Sequence, residues 1–212
     1  MTIIKRGKFL TVEGTEGVGK TTNIAFIKAW LERNGIEYVA TREPGGTPLA
    51  EEVRALLLMP RAEKVHENAE LLLVFAARAQ HLAQVIEPAL AQGKWVLCDR
   101  FTDATYAYQG GGRQMEKSTI ATLENLVQKS LRPDAVILLD IPVQLGLERA
   151  RGRGELDRFE QEDIAFFERV RAAYLERARA NRHYRVIDAS QTLEQVQAAL
   201  ETHLDQLLQE TL

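Results

Sequence analysis

A glycine-rich segment near the amino terminus constrains this chain more than any other feature. It fits the phosphate-binding P-loop pattern G-x-x-x-x-G-K-[ST] and consists of Gly14-Thr15-Glu16-Gly17-Val18-Gly19-Lys20-Thr21. The alternating, β-branched run 9–12 precedes it and predicts a strand. Apolar residues at helical spacing follow it in 22–33 and predict a helix. Strand, glycine loop and helix is the order in which backbone N–H groups can surround a polyphosphate.

The residues of this loop predict an ATP site that uses Mg²⁺. Lys20 is expected to reach the β- and γ-phosphate oxygens and Thr21 to ligate Mg²⁺, with Thr22 completing the site at the helix N-terminus. Further along, a short apolar run ends in Asp99, the usual way to place a carboxylate beside the Mg²⁺ of a P-loop enzyme. Arg100 follows and is expected to hold a second phosphate with its planar fork. A strand-end salt bridge is the alternative interpretation of this pair.

The order of the remaining patterns predicts an α/β fold. Strand-like runs alternate with helical ones, which favours the three-layer P-loop fold, a mainly parallel five-stranded sheet with helices on both faces. The predicted strands cover 9–12, 37–41, 95–98, 134–139 and 184–187. The predicted helices cover 22–33, 48–58, 67–92 with an interruption near Pro88, 116–130, 142–150, 161–180 and 193–208. Nothing divides the chain, so residues 1–212 are interpreted as a single domain.

Composition and charge argue against several other classes of protein. The net charge of −3 gives no electrostatic case for binding nucleic acid or a membrane surface. The one cysteine, Cys98, forms no intrachain disulfide and fits a reducing compartment, the cytoplasm. Residues 1–8 lack the apolar core of a secretory signal, and no long uncharged apolar run predicts a transmembrane helix. The histidines have no metal-ligand spacing, so no zinc site is expected.

Three further patterns contain candidate ligand-binding residues. Arg78 ends an apolar helical run, where a guanidinium needs either a structural carboxylate or a ligand as its partner, and the pattern leaves both open. Tyr108 and Gln109 precede three glycines and are expected to line a base pocket, the alternative being surface residues beside a flexible loop. Arginines recur within residues 149–160, which favours a mobile lid that closes over a polyphosphate.

Taken together, these segments resemble the thymidylate kinase family of the nucleoside-monophosphate kinases. The resemblance spans nearly the whole chain, from the first strand to the C-terminal helix. Its most specific motifs are Thr41-Arg42-Glu43-Pro44-Gly45-Gly46-Thr47, Asp99-Arg100-Phe101 with Ala107-Tyr108-Gln109-Gly110, and Leu156-Asp157-Arg158-Phe159-Glu160. A P-loop alone would indicate only a nucleotide-binding protein.

The resemblance implies a transfer of the γ-phosphate of ATP to dTMP, giving ADP and dTDP for dTTP synthesis. It implies that Arg78 hydrogen-bonds thymine, that Arg100 holds the acceptor phosphate and that Tyr108 packs against the sugar. Glu43 would lie near Mg²⁺ and that phosphate, and Glu16 would point toward the acceptor's sugar. The full set of implied substrate-binding residues is Glu43, Pro44, Val74, Phe75, Arg78, Arg100, Thr105, Tyr108 and Gln109.

The bacterial sub-type of the family is the one this chain resembles. Gly17 stands where eukaryotic members carry a P-loop arginine. The arginines that act on the transferring phosphate then come from the lid, with Arg149, Arg151 and Arg153 as candidates. Members of the family are typically homodimers, and helix 71–79 is a candidate interface element.

One position departs from the family pattern. Many members carry a phenylalanine four residues before the arginine at position 78, and it stacks on thymine. Here that position is Val74, with Phe75 next to it. A helix turns by about 100° per residue, so Phe75 takes the stacking place only if the helix shifts.

Two other functions remain open at the level of the sequence. Another monophosphate or small-molecule kinase on the same fold would share the donor site and differ in its acceptor. A nucleotide-dependent switch would use hydrolysis to act on a partner protein. Against a switch, the chain has no [NT]-K-x-D guanine motif and does have an arginine-rich lid.

Overall fold

A parallel β-sheet forms the centre of the molecule, which is described by a computed structural model over residues 5–150 and 157–210. The strand order is β2-β3-β1-β4-β5, and every neighbouring pair is parallel. The strands are β1 (Phe9–Glu13), β2 (Tyr38–Arg42), β3 (Trp95–Asp99), β4 (Ala135–Asp140) and β5 (Tyr184–Asp188). The predicted α/β class and five-stranded parallel sheet are confirmed.

Helices make the crossovers that parallel strands require. They are α1 (Lys20–Arg33), α2 (Pro48–Leu58), α3 (Glu67–His81), α4 (Glu87–Ala91), α5 (Thr102–Thr105), α6 (Lys117–Gln128), α7 (Val143–Ala150), α8 (Ile164–Ala180) and α9 (Leu193–Gln209). Two π-helical segments, Leu82–Ile86 and Tyr106–Gly112, follow α3 and α5. Most predicted boundaries agree with these bounds to within a few residues.

Strand register places the candidate residues side by side. Val12 of β1 pairs with Asp99 of β3, and Arg42 of β2 pairs with the same aspartate from the other side. The P-loop leaves β1 one residue after Glu13, so it begins beside the carboxyl end of β3. Because all strands point the same way, the β1, β2 and β3 ends meet at one edge of the sheet.

Alternation along β1 divides the core between the two faces of the sheet. Leu10 and Val12 pack with Trp30 of α1 in one buried cluster. Phe9 faces the other way and meets Phe101 with ring centroids 4.9 Å apart. Burying both faces explains why the strands are apolar on consecutive residues rather than alternately polar.

The long helix predicted over 67–92 is interrupted near Pro88, as expected, and the interruption covers the turn before the proline. Pro88 lacks a backbone N–H, so the carbonyl one turn before it receives no helical hydrogen bond. The helix widens into the π-helical segment Leu82–Ile86 and recovers as α4. A π-bulge is a common response to a break in the hydrogen-bond ladder.

For Tyr108 and Gln109 the sequence left open, as the alternative to a base pocket, surface residues beside a flexible glycine loop, and the structure does not favour that alternative, because both residues are buried and line a cavity. The segment 102–112 forms α5 and a π-helical segment packed on α8. A Cβ at Gly111 would lie 2.7 Å from the Ala173 Cβ, and one at Gly112 would lie 2.4 Å from the Phe166 ring. These glycines therefore permit close helix packing instead of mobility.

The continuous run from Glu67 to Ala91 is long and apolar enough to cross a membrane, by length and composition only. Core helices of soluble proteins pass the same test. In this molecule Leu71 and Phe75 pack with Tyr106 and Ile120 in a buried cluster. The run is thus a core helix by its contacts, and it carries no argument for a membrane protein.

Candidate active site

A cavity of about 270 Å³ opens at the carboxyl ends of the strands. It is bounded by the P-loop, the β2–α2 turn, α3 and the π-helical segment 106–112. The predicted site residues that line it are Glu16, Gly17, Val18, Gly19, Lys20, Thr21, Glu43, Pro44, Val74, Arg78, Asp99, Arg100, Thr105, Tyr108 and Gln109. Gly14, Thr15, Thr22, Phe75 and Arg149 lie outside its wall.

Lys20 begins α1 and folds back over the P-loop. Its Nζ donates to the carbonyl oxygens of Gly14 and Thr15, both at 3.3 Å. Burial lowers the pKa of this ammonium, and the nearby Arg100 lowers it further, while Glu16 and Asp99 act in the opposite direction. A desolvated cation with two long hydrogen bonds gains most from an anion placed in the loop, which is what a polyphosphate supplies.

Backbone contacts join the P-loop to α7. Gly17 has a φ of 73°, and a Cβ there would lie 1.9 Å from the Gly146 carbonyl oxygen. From the other side, a Cβ at Gly146 would lie 2.6 Å from the Glu16 carbonyl oxygen. Neither glycine leaves room for a side chain. Since α7 leads into the predicted lid, the phosphate loop and the lid helix touch at this point.

Arg100 turns back toward the P-loop through an uncommon backbone conformation. Its φ is 66°, the left-handed region that non-glycine residues rarely occupy. Its guanidinium donates to the Gly14 carbonyl at 2.9 Å and to Glu16 Oε1 at 2.6 Å. Tyr108 donates to the same Glu16 oxygen at 2.8 Å, and its ring lies 5.0 Å from the guanidinium. Strained backbone with such a network is typical of functional positions.

The residues present fit a Mg²⁺ ion. One carboxylate oxygen of Asp99, Oδ1, is buried with no hydrogen-bond partner among the described residues. Thr21, a hydroxyl donor, lines the same cavity. Within residues 5–150 and 157–210, no cluster of three or more His, Cys, Asp and Glu side chains could hold a metal by itself. One carboxylate and one hydroxyl fit Mg²⁺, which is usually completed by water and substrate phosphates.

The sequence left open whether Arg78 binds a structural carboxylate or a ligand. In the structure its guanidinium binds a carboxylate on one side and faces the cavity on the other. Its Nε donates to Glu43 Oε2 at 2.7 Å, and Nη2 donates to the Thr105 hydroxyl at 3.0 Å. His81 lies 3.0 Å from the second Glu43 oxygen and 2.7 Å from the Thr41 hydroxyl. The remaining nitrogen, Nη1, is buried with no partner in the described chain. Glu43 and Thr105 therefore fix the guanidinium of Arg78, and Nη1 remains as a hydrogen-bond donor without a partner among the described residues.

The two residues considered for thymine stacking lie on different sides of α3. Val74 lines the cavity, 8% exposed. Phe75 is buried in a core cluster, and the Arg78 guanidinium carbon lies 4.8 Å from its ring centroid. The turn of about 100° per residue along a helix separates the side chains of Val74 and Phe75. Phe101, in the turn between β3 and α5, lines the cavity and lies 5.0 Å from the same guanidinium, so this turn supplies one of the aromatic rings of the cavity wall.

The described last part of the predicted lid, residues 157–160, closes one side of the cavity. Asp157, Phe159 and Glu160 line it. Arg158 anchors the segment, because its backbone N–H donates to the Leu58 carbonyl at 3.1 Å and its Nε donates to the Leu57 carbonyl at 2.8 Å. The C-terminal end of α2 therefore holds this wall in place.

The predicted lid arginines are only partly within the described chain. Arg151 and Arg153 lie outside the described residues. Arg149, at the end of α7, donates from Nη1 to the Ala189 carbonyl at 3.0 Å, away from the cavity. Their catalytic role stays a prediction.

Sequence reasoning missed several residues of the site. The cavity-lining ones are Arg54, Leu57, Leu58, Phe101 and Ala104. Arg54 donates to the Pro44 carbonyl at 2.9 Å and adds positive charge to the cavity. The missed supporting residues are His81 and Glu70. Charged residues in helices usually indicate a solvated face, so no sequence signal marked them.

A buried carboxylate lies beneath the P-loop. Glu13, at the end of β1, accepts hydrogen bonds from the Phe101 backbone N–H at 2.7 Å and from the Tyr174 hydroxyl at 2.9 Å. Burial, with Asp103 nearby, raises the pKa of Glu13 to about 8. Arg100 acts against this shift. Glu13 thus supports the turn that carries Arg100.

We expect Glu13 to make folding pH-dependent. Its carboxyl holds a proton in the folded protein up to about pH 8, whereas the unfolded chain releases it near its ordinary value of 4.5. The folded state binds more protons in that window, so stability is lost as pH rises through it. Urea denaturation from about pH 5 to about pH 8 should show a steeper fall for wild type than for Glu13→Gln. Equal slopes would contradict this, and the exposed Glu52→Gln serves as the matched control.

The sequence of this chain is similar to a known family and to individual members of it. The thymidylate kinase family model matches residues 12–200. A thymidylate kinase of Pseudomonas syringae pv. syringae (strain B728a) is 61% identical over 204 residues, 96% of this chain and 97% of that protein. One from Teredinibacter turnerae is 62% identical over 203 residues, 95% of this chain and 99% of that protein.

Solved structures agree with the sequence matches. A crystal structure of thymidylate kinase from Ehrlichia chaffeensis superposes with a TM-score of 0.75 at 34% sequence identity. The match covers 94% of this chain and 99% of that chain. The fold, and not only the local motifs, is therefore shared along nearly the full length.

Proposed function

The chain belongs to the thymidylate kinase family, and from that premise we propose how its residues divide the transfer of a phosphate from ATP to dTMP. The enzyme phosphorylates dTMP to dTDP with ATP as donor. The observation that supports this division most directly is one cavity with two cationic ends. Lys20 and Arg100 lie at the phosphate end, and Arg78 lies at the other with a buried, unpartnered nitrogen.

The P-loop is the donor site in this proposal. Its backbone N–H groups and Lys20 bind the phosphates of ATP, and Thr21 and Asp99 hold Mg²⁺. The unpartnered buried Asp99 oxygen supports the metal assignment. When bound, Mg²⁺ neutralises phosphate charge as the γ-phosphate is transferred.

The acceptor site lies between α3 and the π-helical segment 106–112. Arg78 donates to the base, and Thr105 and Glu43 hold the guanidinium in place. Gln109 supplies the second polar contact to the base. The Arg78 hydrogen bonds to Glu43 and Thr105 support this division, because they leave one nitrogen aimed away from them.

Arg100 holds the acceptor phosphate and faces the donor site. Its hydrogen bond to Glu16, whose same oxygen accepts from Tyr108, supports a role for that carboxylate between the two substrates. Phosphoryl transfer needs positioning and charge stabilisation more than covalent chemistry. In an in-line transfer, these cations and the lid arginines Arg149, Arg151 and Arg153 offset the charge that spreads over the transferring group.

We extend the proposal to the whole chain, which acts as one kinase domain with a lid at about 149–160.

The partner protein in this proposal is a second copy of the chain, so the enzyme is a homodimer. On α3, Leu72 is 57% exposed, and Ala76 and Ala79 on the same face are exposed too. A sedimentation experiment should give about twice 23.9 kDa, and a monomer at micromolar concentration would contradict it. The lone buried thiol of Cys98 fits a cytoplasmic enzyme.

An acceptor panel tests the function. ADP release is followed with ATP and Mg²⁺ against dTMP, dUMP, UMP, AMP, GMP and CMP. We expect strong preference for dTMP and no turnover once EDTA removes Mg²⁺. Preference for another acceptor would keep the P-loop kinase and refute the thymidylate assignment. ATP turnover stimulated by a protein and not by an acceptor would favour a nucleotide-dependent switch.

A further inference from the structure

Glu70, in the first turn of α3, is a buried carboxylate behind the acceptor site. Its side chain is 1% exposed, and it is not among the described residues that line the cavity. Oε1 accepts a hydrogen bond from Gln109 Nε2 at 2.8 Å. Oε2 lies 2.7 Å from Arg158 Nη2, and Arg113 Nε donates to Oε1 at 3.4 Å. Two guanidinium groups supply the positive charge that a buried carboxylate needs.

This contact decides which way the Gln109 amide faces. A carboxylate accepts hydrogen bonds and donates none, so Gln109 must turn its NH₂ group toward Glu70. The amide oxygen is then left for the cavity that Gln109 lines. Without such a partner, the two ends of an amide are nearly equal in shape and exchange readily. Glu70 therefore makes Gln109 an acceptor toward the cavity.

Arg78 contributes the opposite character to the same cavity. Its Nη1 is a donor, buried and without a partner in the described residues. Together with Gln109, the cavity presents one fixed donor and one fixed acceptor. Thymine offers a matching edge, an N3–H donor beside a C4 carbonyl acceptor. Cytosine offers the reverse, an N3 acceptor beside a 4-amino donor, so it meets like groups on both sides.

We propose that Glu70 is a positioning residue for base discrimination, acting through the amide of Gln109. It fixes the cavity in the hydrogen-bonding pattern that accepts thymine and rejects cytosine. This rests on the proposed function, since it deepens the account of the same acceptor site. A buried polar group left unpaired is costly, so a fixed amide separates the two bases more strongly than a rotating one.

The Glu70→Gln substitution tests this proposal with little change of shape. Its side chain both donates and accepts, so the Gln109 amide can turn over. We expect the ratio of kcat/KM for dTMP to that for dCMP to fall by about tenfold or more, mainly through KM. The KM for ATP should stay within about twofold of wild type. The matched control is Glu67→Gln, an exposed glutamate in the same turn, which should leave the ratio unchanged.

A purely structural role for Glu70 would give a different result. It would lower kcat/KM for both acceptors together and leave their ratio unchanged, and that outcome overturns the proposal. A Glu70→Gln variant that keeps the wild-type ratio at full activity would overturn the proposal as well. Wild-type enzyme without dTMP-dependent ADP release would instead refute the proposed function itself, so the two failures are distinguishable.

A double-mutant cycle checks the route through Gln109. Gln109→Met removes the amide, and on that background Glu70→Gln should change the ratio no further. A change as large as in wild type would show another route and overturn the proposal. If circular dichroism shows that Glu70→Gln does not fold, the ratio of kcat/KM for dTMP to that for dCMP in Gln109→Met tests the proposal. An unchanged dTMP to dCMP ratio in that variant also overturns the proposal.

Discussion

Replacing Lys20 with methionine is expected to lower kcat by about 10³-fold or more while the protein stays folded. Methionine keeps most of the stem and removes the ammonium that faces the phosphates. Little stability should be lost, because Nζ makes only two long hydrogen bonds, to the carbonyls of Gly14 and Thr15. The measurement is ADP release at saturating ATP, Mg²⁺ and dTMP.

The matched control for this variant is Lys64→Met, an exposed lysine far along the chain from the P-loop. Circular dichroism and the urea midpoint should agree among wild type and both variants. If Lys20→Met kept more than about half of the wild-type kcat, the role given to this lysine would be wrong.

Replacing Arg78 with methionine is expected to have two separable effects. The first is a loss of stability of about 3 kcal/mol, because the buried Glu43 carboxylate loses its charged partner. The second is a rise in KM for dTMP of about 10²-fold, because the base loses a buried donor. Urea unfolding measures the first effect and initial rates at varied dTMP measure the second.

A second substitution separates these effects. Adding Glu43→Gln to Arg78→Met removes the uncompensated charge and should restore much of the stability, but not the affinity for dTMP. The exposed Arg179→Met is the control for a lost surface charge. Recovery of a wild-type KM in the double variant would mean that Arg78 only supports the fold.

The sequence predicted the architecture well where local signals were strong. Helix α2 has the predicted bounds, since Thr47 caps it by accepting from the Ala50 N–H and Pro48 occupies its first turn. The strand runs are apolar because both sheet faces are covered, and that pattern alone indicated a parallel sheet. The P-loop residues Lys20 and Thr21, which the motif predicted to belong to the site, line the cavity.

What could not be predicted depends on distant packing. The glycines at 110–112 have the composition of a loop, and nothing local predicts that Gly111 and Gly112 pack closely against α8 in a helical segment. Arg78 needed a partner by burial logic, but Glu43 is 35 residues away in sequence and nothing local identifies it. Glu70 gave no signal at all, because its partners Gln109, Arg113 and Arg158 come from two distant segments.

The contact between Gly17 and Gly146 limits how parts of this enzyme can be exchanged with those of its relatives. An arginine at position 17 would have to pass through the backbone of α7, so the P-loop cannot gain one by a single substitution. The backbones of the two glycines pack against each other, so the P-loop and α7 can be exchanged only together. A chimera that imports a eukaryotic-type P-loop must import the matching α7 as well. Packing between two backbones thus excludes an arginine side chain at position 17.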